Sequence, residues 1–391
     1  MPWRLLARRL AVPASVLAAG TPFASSGPAA PPPAPFKFGV IADVQYSRSP
    51  DSTQTGHMGY AASNPANLAD WPLLEDASLT RRYVQALAIL RQAVQSWAAE
   101  GVPVAVLLGD VLDKTARLPG DSVEGCVRDV QGVLALAPAM QKHFVFGNND
   151  AATVGRAGWV QEFSPLGGPS AAAANPSCLY YAFSPSPGLL LVMLDAYDLS
   201  TLEPASGEAG RAQAEAALCA ANPVAYPSRP WPTPWRGMTR QQMAHMHYNG
   251  QPGSAQMAWL QGVLQGAQAA GQKVFVFSHL PVHPHTAKPD GLAWNAPHMR
   301  QLLQGHTCVQ AYFAGHDHDG GYSWEEGEGV HYIVPPAPLE CALGQAAYGT
   351  VRVGREGWEL DWVGKTPSPG SATLRSPLQW PVAGRVLPYR Q

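Results

Sequence analysis

Three observations predict an α/β fold for this 391-residue chain. Short apolar runs of strand character alternate with stretches of helical periodicity, the clearest runs end in Asp, Asn, Gln or His, and no linker-like segment divides the chain internally. In α/β sheets ligands collect at the carboxyl ends of strands, so polar residues recurring there mark a site. The central run is Val106-Leu107-Leu108-Gly109-Asp110, a buried strand that delivers one carboxylate. The segments Ile41-Ala42-Asp43-Val44-Gln45, Val145-Phe146-Gly147-Asn148, Val276-Phe277-Ser278-His279 and Phe313-Ala314-Gly315-His316-Asp317-His318 end the same way.

The elements follow in order. Residues 1–34 carry Arg4, Arg8 and Arg9 with several Ser and Pro residues and no acid, a composition that fits a transit peptide to mitochondrion or chloroplast. The apolar run from Leu10 to Ala24, interrupted by Pro13 and Pro22, leaves a secretory segment open, and a plain Ala/Pro-rich tail on a cytoplasmic protein is the third reading. The folded domain is expected over 35–366, starting with a strand over Phe36–Ile41. The polar stretch from Ser47 to Leu79 reads as a long loop overhanging the Asp43 end. Tyr83, Leu87, Leu90, Val94 and Trp97 give helical spacing over 80–99, closed by Gly101. A second helix, started by Asp121, presents Val123, Val127, Val130 and Leu134. Tyr180–Phe183 and Leu189–Leu194 read as a hairpin, and 203–252 as an irregular insertion. Ser254 caps the next predicted helix, with Met257, Leu260 and Leu264 on its face, and another helix is expected over 296–304. His331–Val334, Gly349–Val353 and Trp358–Trp362 read as closing strands, and 367–391 as an unstructured tail.

Composition excludes several classes. With 26 Lys+Arg against 28 Asp+Glu there is no basic field for a nucleic-acid polymer. Five cysteines without a C-x-x-C pair argue against a disulfide framework or a thiolate zinc site, and they read mostly as buried thiols. No segment after the N-terminus reads as a membrane span, and the oligomeric state is left open.

Carboxylate, amide and imidazole ligands without thiolate suit Mn, Mg, Fe, Co or Zn. Two such ions about 3.5–4 Å apart can clamp a phosphoryl group through in-line displacement, and Asp110 is the natural bridge between them.

The series Asp43-x-Gln45, Gly109-Asp110, Gly147-Asn148, His279 and Gly315-His316-x-His318 resembles the calcineurin-like metallophosphoesterase signature in order and interval. Gln45 stands where most members have His. That substitution is similar to the manganese-dependent ADP-ribose/CDP-alcohol diphosphatases, as are Leu194-Asp195-Ala196-Tyr197-Asp198-Leu199-Ser200, Leu292-Ala293-Trp294-Asn295 and Asp319-Gly320-Gly321-Tyr322-Ser323. The resemblance covers about Phe38 to Val363. It implies a four-layer metallophosphoesterase β-sandwich flanked by helices, and two divalent ions, foremost Mn2+. Asp43, Gln45, Asp110 and His318 would hold one ion, and Asp110, Asn148, His279 and His316 the other. A neutral amide oxygen from Gln45 favours Mn or Mg at its position. The implied reaction is cleavage of the diphosphate bond of ADP-ribose, CDP-alcohols or related nucleoside diphosphates by a metal-bridging hydroxide. Another metallophosphodiesterase, acting for example on cyclic nucleotides, or a non-catalytic binding protein on the same fold, are the alternatives.

One departure bears on catalysis. The family's His after the metal-binding Asn is Asn149 here, which can donate a hydrogen bond to a phosphate oxygen but cannot deliver a proton. Asp110, Asn148 and Asn149 are therefore the expected catalytic residues, with diphosphates cleaved better than alkyl phosphates. Tyr46, Tyr197, Trp294, Asn295 and Tyr322 lie beside these segments and either contact the substrate, an aromatic face stacking on the base, or pack the core beneath the loops. Asp113 either orients a ligand or is a turn residue, and His283 and His285 are expected at the surface.

Overall fold

A computed structural model describes residues 16–17, 34–49, 51–54, 79–163, 179–221, 240–324, 327–367 and 386–390. Most of the expected N-terminal segment, of the loop over 47–79 and of the C-terminal tail lies outside the described residues. The strands are β1 (Val16–Leu17), β2 (Phe36–Ile41), β3 (Ser52–Gln54), β4 (Leu79–Arg81), β5 (Val104–Leu107), β6 (Gln141–Phe144), β7 (Tyr181–Ser186), β8 (Leu189–Met193) and β9 (Leu199–Ser200). They continue with β10 (Gly250–Gln251), β11 (Lys273–Phe277), β12 (Val309–Phe313), β13 (Gly321–Ser323), β14 (His331–Val334), β15 (Ala347–Val353), β16 (Gly357–Gly364) and β17 (Leu387–Pro388). The helices are α1 (Tyr83–Ala99), α2 (Val123–Leu134), α3 (Asn148–Thr153), α4 (Gly155–Phe163), α5 (Gly207–Ala221), α6 (Arg240–Met243), α7 (Ser254–Ala269) and α8 (Ala296–Gln304).

Two sheets carry the fold. One has six strands in the order β17-β16-β15-β2-β5-β6, the other seven in the order β1-β7-β8-β11-β12-β14-β13. Each has a parallel centre, β2-β5-β6 and β8-β11-β12-β14, with antiparallel strands at the flanks. The strands are apolar on both faces, because both are covered. Phe38, Val40, Val104, Val106, Leu191, Phe275, Phe277 and Phe313 fill the space between the sheets, whereas Ile41, Ala105, Leu107, Val192 and Val276 face the helices. Phe38 sits edge-on to Phe275 and Phe277 at 5.5 and 5.6 Å, locking sheet to sheet. Helix, sheet, sheet, helix is the four-layer arrangement expected.

Several local expectations change. The first helix starts at Tyr83, because Thr80 pairs with Thr53 in the β3–β4 ribbon. Ser122, not Asp121, caps α2: its side chain accepts from the Gly125 N–H, while Asp121 accepts from Ser47, Arg48 and Ser49. Gly253 takes the cap position expected of Ser254, its N–H donating to Asp198. The 203–252 insertion contains a 15-residue helix, α5, whose Gly210, Ala214 and Leu218 are buried; small residues at that spacing hide the amphipathic pattern. At the far end, Leu387 pairs with Trp358 and Tyr389 is buried, so 386–390 is built into a sheet where a tail was expected. Among the described residues no helix is long and apolar enough to cross a membrane.

Candidate metal centre

The parallel strands set the site. β2 and β5 run side by side, Ile41 opposite Leu107, so Asp43 and Asp110 leave the sheet at the same edge. The two segments then stay together: the Gln45 N–H donates to Asp110 O at 2.8 Å, and Tyr46 N–H to Val111 O at 2.9 Å. The other sheet delivers His279 after β11 and His316 after β12 to the same place, with Gly315 N–H bonded to His279 O at 2.9 Å.

Backbone strain gathers at this edge. Asp43, Gln45, Asp110 and His316 have φ of 46°, 43°, 49° and 70°, and they make up four of the five described non-glycine residues with positive φ. Such conformations cost about 1–3 kcal/mol each and persist where the surroundings fix them, most often at functional sites. The glycines preceding two of the presumed ligands exist for close approach. A Cβ on Gly147 would lie 2.1 Å from Asp110 Oδ1, and one on Gly315 would lie 2.6 Å from Asp43 Oδ2.

The seven expected ligands converge. Ligand atoms of Asp110, His279 and His316 lie within 4.8 Å of one another. His279 Nε2 is 3.6 Å from Asp110 Oδ1 and 3.2 Å from Asn148 Oδ1. On the other side, His318 Nε2 is 3.7 Å from Asp43 Oδ1, and the Gln45 amide nitrogen is 2.7 Å from His318 Nε2 and 3.2 Å from Asp110 Oδ2. The outer ring nitrogens are occupied. His279 Nδ1 bonds Leu108 O at 2.8 Å and His318 Nδ1 bonds Glu340 Oε1 at 2.7 Å, so that each ring, in its neutral form, turns the lone pair of Nε2 inward.

This donor set fits divalent cations. Asp43 and Asp110 are fully buried, and burial pushes the Asp43 carboxyl up to about 6 against the pull of His279 and His318. A cation held by these residues would supply the missing compensation. Gln45 Oε1 is buried with no hydrogen-bond partner, while the nearly isosteric amide nitrogen sits among the ligand atoms; a flip of the amide would turn the oxygen toward a cation held there. Burial and the neighbouring His279 and His318 hold His316 well below the usual histidine range, in the neutral form that ligates. Burial also opposes charge on His318, but Glu340 and then Asp43 outweigh it and raise the imidazole to about 9. Glu340 is pulled down to about 2 despite its burial, by His318 first and then by Lys365 and Arg81.

Asn149 differs from expectation. Its backbone N–H and its Nδ2 both donate to Asp110, at 2.8 and 2.6 Å, so the side chain orients the Asp110 carboxylate and does not reach toward a phosphate. Asp150, fully buried, accepts from Gly147, Val111 and Leu112 N–H and ties the Asn148 turn to the Asp110 loop.

Of the proposed substrate contacts only Tyr197 stands at the centre. Its hydroxyl donates to Asn148 Oδ1 at 3.3 Å and its ring lies 6.0 Å from His279. Tyr46 is buried, and its hydroxyl donates to Asp129 of α2 at 2.8 Å. Trp294 packs with Leu218, Met243 and Met246 and donates its indole N–H to Met246 O. Asn295 stands at the N-terminus of α8 and donates to Pro252 O at 3.4 Å. Tyr322 lies between the sheets, hydrogen-bonded to His331. His283 is buried as well, its ring tilted against Tyr332 with centroids 4.7 Å apart rather than facing solvent.

Sequence reasoning missed Glu340, which lies 22 residues from its partner His318 at the end of a short 3₁₀ helix (Pro338–Glu340) without a motif. It also missed Arg156, whose guanidinium bonds buried Asp195 at 2.6 Å and Tyr197 O at 3.1 Å and so fixes the Tyr197 loop. Tyr248, in the insertion, brings its ring to 6.0 Å from His316. Asp113 proves to be both turn and tether: it accepts from Thr115 N–H and from Arg81 at 3.2 Å.

Comparison with known proteins agrees with this geometry. The family model for calcineurin-like phosphoesterases matches residues 36–320. A protein from Oryza sativa subsp. japonica named manganese-dependent ADP-ribose/CDP-alcohol diphosphatase is 31% identical over 319 residues, covering 81% of this chain and 88% of its own. One of the same name from Mus musculus is 30% identical, covering 85% and 92%. The solved structure of a dimetal phosphatase from Danio rerio superposes with a TM-score of 0.70 at 27% identity, over 85% of this chain and 96% of that one. With strand ends, strained ligand backbones and sequence all in agreement, the chain belongs to the calcineurin-like phosphoesterase family and is a metal-dependent hydrolase.

Proposed function

We propose that the chain hydrolyses the diphosphate bond of ADP-ribose, CDP-alcohols or related nucleoside diphosphate derivatives, with manganese in its metal centre. Asp43, Gln45, Asp110 and His318 would hold one cation, and Asp110, Asn148, His279 and His316 the other. Bound divalent ions acidify water and neutralise phosphoryl charge. The protein's part is to keep seven side chains in place and in the right protonation state. Asn149 holds both oxygens of Asp110 by two hydrogen bonds. Leu108 O and Glu340 fix the tautomers of His279 and His318, and Tyr197 orients Asn148.

Asn149 is the observation that carries the substrate class. An amide bonded to Asp110 has no proton to give a leaving group. An alkoxide needs one, whereas a phosphate monoester, with a second pKa of about 6, leaves without it. The names of the relatives at 30–31% identity point to the same chemistry. The alkoxide leaving group of a cyclic nucleotide fits less well. The test is turnover by manganese-loaded protein: ADP-ribose should yield AMP and ribose phosphate at a rate far above that for an alkyl phosphomonoester. Equal rates on the two would refute the leaving-group argument.

A further inference from the structure

We propose that Arg81 and Lys365 form a cationic clamp for the phosphate that is not attacked, and so select substrates with two linked phosphates. This rests on the hydrolase reading above and extends it to a second binding position. The topology brings both residues to the metal end of the six-stranded sheet. β15 runs antiparallel to β2, with Gly349 opposite Val40, and β16 returns to place Gly364 opposite Ala347. Lys365 therefore emerges at the edge where Asp43 leaves β2. Its backbone is pinned, since the N–H donates to Ala346 O at 2.7 Å and the carbonyl accepts from Trp362 Nε1 at 2.6 Å. Its ammonium lies 3.5 Å from the carbonyl of the presumed ligand His318 and, among the described residues, makes no salt bridge.

Arg81 approaches the same side from β4. The next residue, Arg82, donates its N–H to Leu339 O at 2.9 Å and its guanidinium to Cys341 O at 3.0 Å, so the strand end is bound to the turn that carries Glu340. Buried Asp113, three residues after Asp110, takes one Arg81 nitrogen at 3.2 Å, and the side chain stays partly exposed. A guanidinium has five N–H donors in a rigid fork, so one tether orients it and leaves capacity for a phosphate. The metal centre neutralises the phosphoryl group under attack. The second phosphate carries its own charge, and both cations lie on the His318–Glu340 side of the centre, Lys365 beside the His318 carbonyl and Arg81 tethered at Asp113.

The experiment is calorimetric titration of the manganese-loaded full chain with AMP and with α,β-methylene-ADP, which cannot be cleaved between its phosphates. The wild type, Arg81→Gln and Lys365→Met are compared, and Arg81→Lys serves as a second variant in case the buried Asp113 tolerates no neutral partner. The wild type should bind the methylene analogue at least tenfold tighter than AMP. Each charge-removing variant should weaken the analogue about tenfold while AMP stays within about twofold. An unchanged ratio, or parallel loss of both ligands, overturns the clamp. Failure of the hydrolase reading would look different: tight, clamp-dependent binding of the analogue without turnover of ADP-ribose by the wild type.

Discussion

Replacing Glu340 by Gln isolates how much of the metal centre depends on a residue that touches no presumed metal position. The carboxylate is buried and bonds His318 Nδ1 at 2.7 Å. Its shift from 4.5 to about 2 corresponds, at about 1.4 kcal/mol per pH unit, to about 3 kcal/mol of preference for the charged form at most. That preference is shared among His318, Lys365 and Arg81. Because the folded pKa is depressed, this stabilisation is present above the unfolded value near 4.5 and is lost as pH falls toward about 2. A Gln side chain still accepts a hydrogen bond but no longer favours charge on the imidazole or sharpens its basicity. Removal of such support typically costs 10–100-fold in metal affinity. Glu340→Gln should therefore bind manganese about 10–100-fold more weakly at one of two positions, with the second affinity nearly unchanged. Activity should recover largely at high manganese. The assay is a manganese titration followed by calorimetry and by initial rate; equal weakening of both positions, or of neither, would refute the reasoning.

Further outcomes follow from the same geometry. Asn149→His should raise the rate on alkyl phosphates relative to that on ADP-ribose by about tenfold or more, because a general acid contributes on the order of 10²–10⁴, while loss of the Nδ2 bond to Asp110 lowers turnover of both substrates together; the ratio of initial rates on the two substrates checks this. Gly147→Ala places a methyl 2.1 Å from Asp110 Oδ1, so metal content measured by elemental analysis should fall well below that of the wild type while circular dichroism stays folded. Buried His143 and His283 are both lowered to about 3, by burial first, so the unfolded chain takes up their protons as pH drops below about 6.5. Stability should fall between pH 6.5 and 3 by up to about 1.4 kcal/mol per pH unit for each, and His143→Gln should flatten the dependence of Tm on pH. Chelation should lower Tm, since manganese at 100 times its Kd contributes about 2.7 kcal/mol per site.

The sheet centres were legible because each parallel strand is an apolar run ending in a polar ligand: Val106 to Asp110 and Val276 to His279 announce strand and site together. All seven side chains read as ligands meet at one edge. The aromatic contacts were harder, since Tyr46, Trp294 and Tyr322 follow site segments in sequence yet turn into α2, the insertion and the space between the sheets. Adjacency along a chain gives no direction to a side chain once the backbone bends at positive φ. Helix α5 was hidden by its Ala content, and the support from Glu340 and Arg156 depends on contacts 22 and 39 residues away that carry no local pattern.

The most direct measurement is stoichiometric: manganese bound per chain in purified protein, for the wild type and Asp110→Asn, alongside hydrolysis of ADP-ribose. Two ions per wild-type chain with turnover are expected, and fewer than two ions with loss of activity in the variant. Two ions retained by the Asp110 variant with full turnover, or a wild-type chain that takes up no divalent cation, would contradict the two-metal reading.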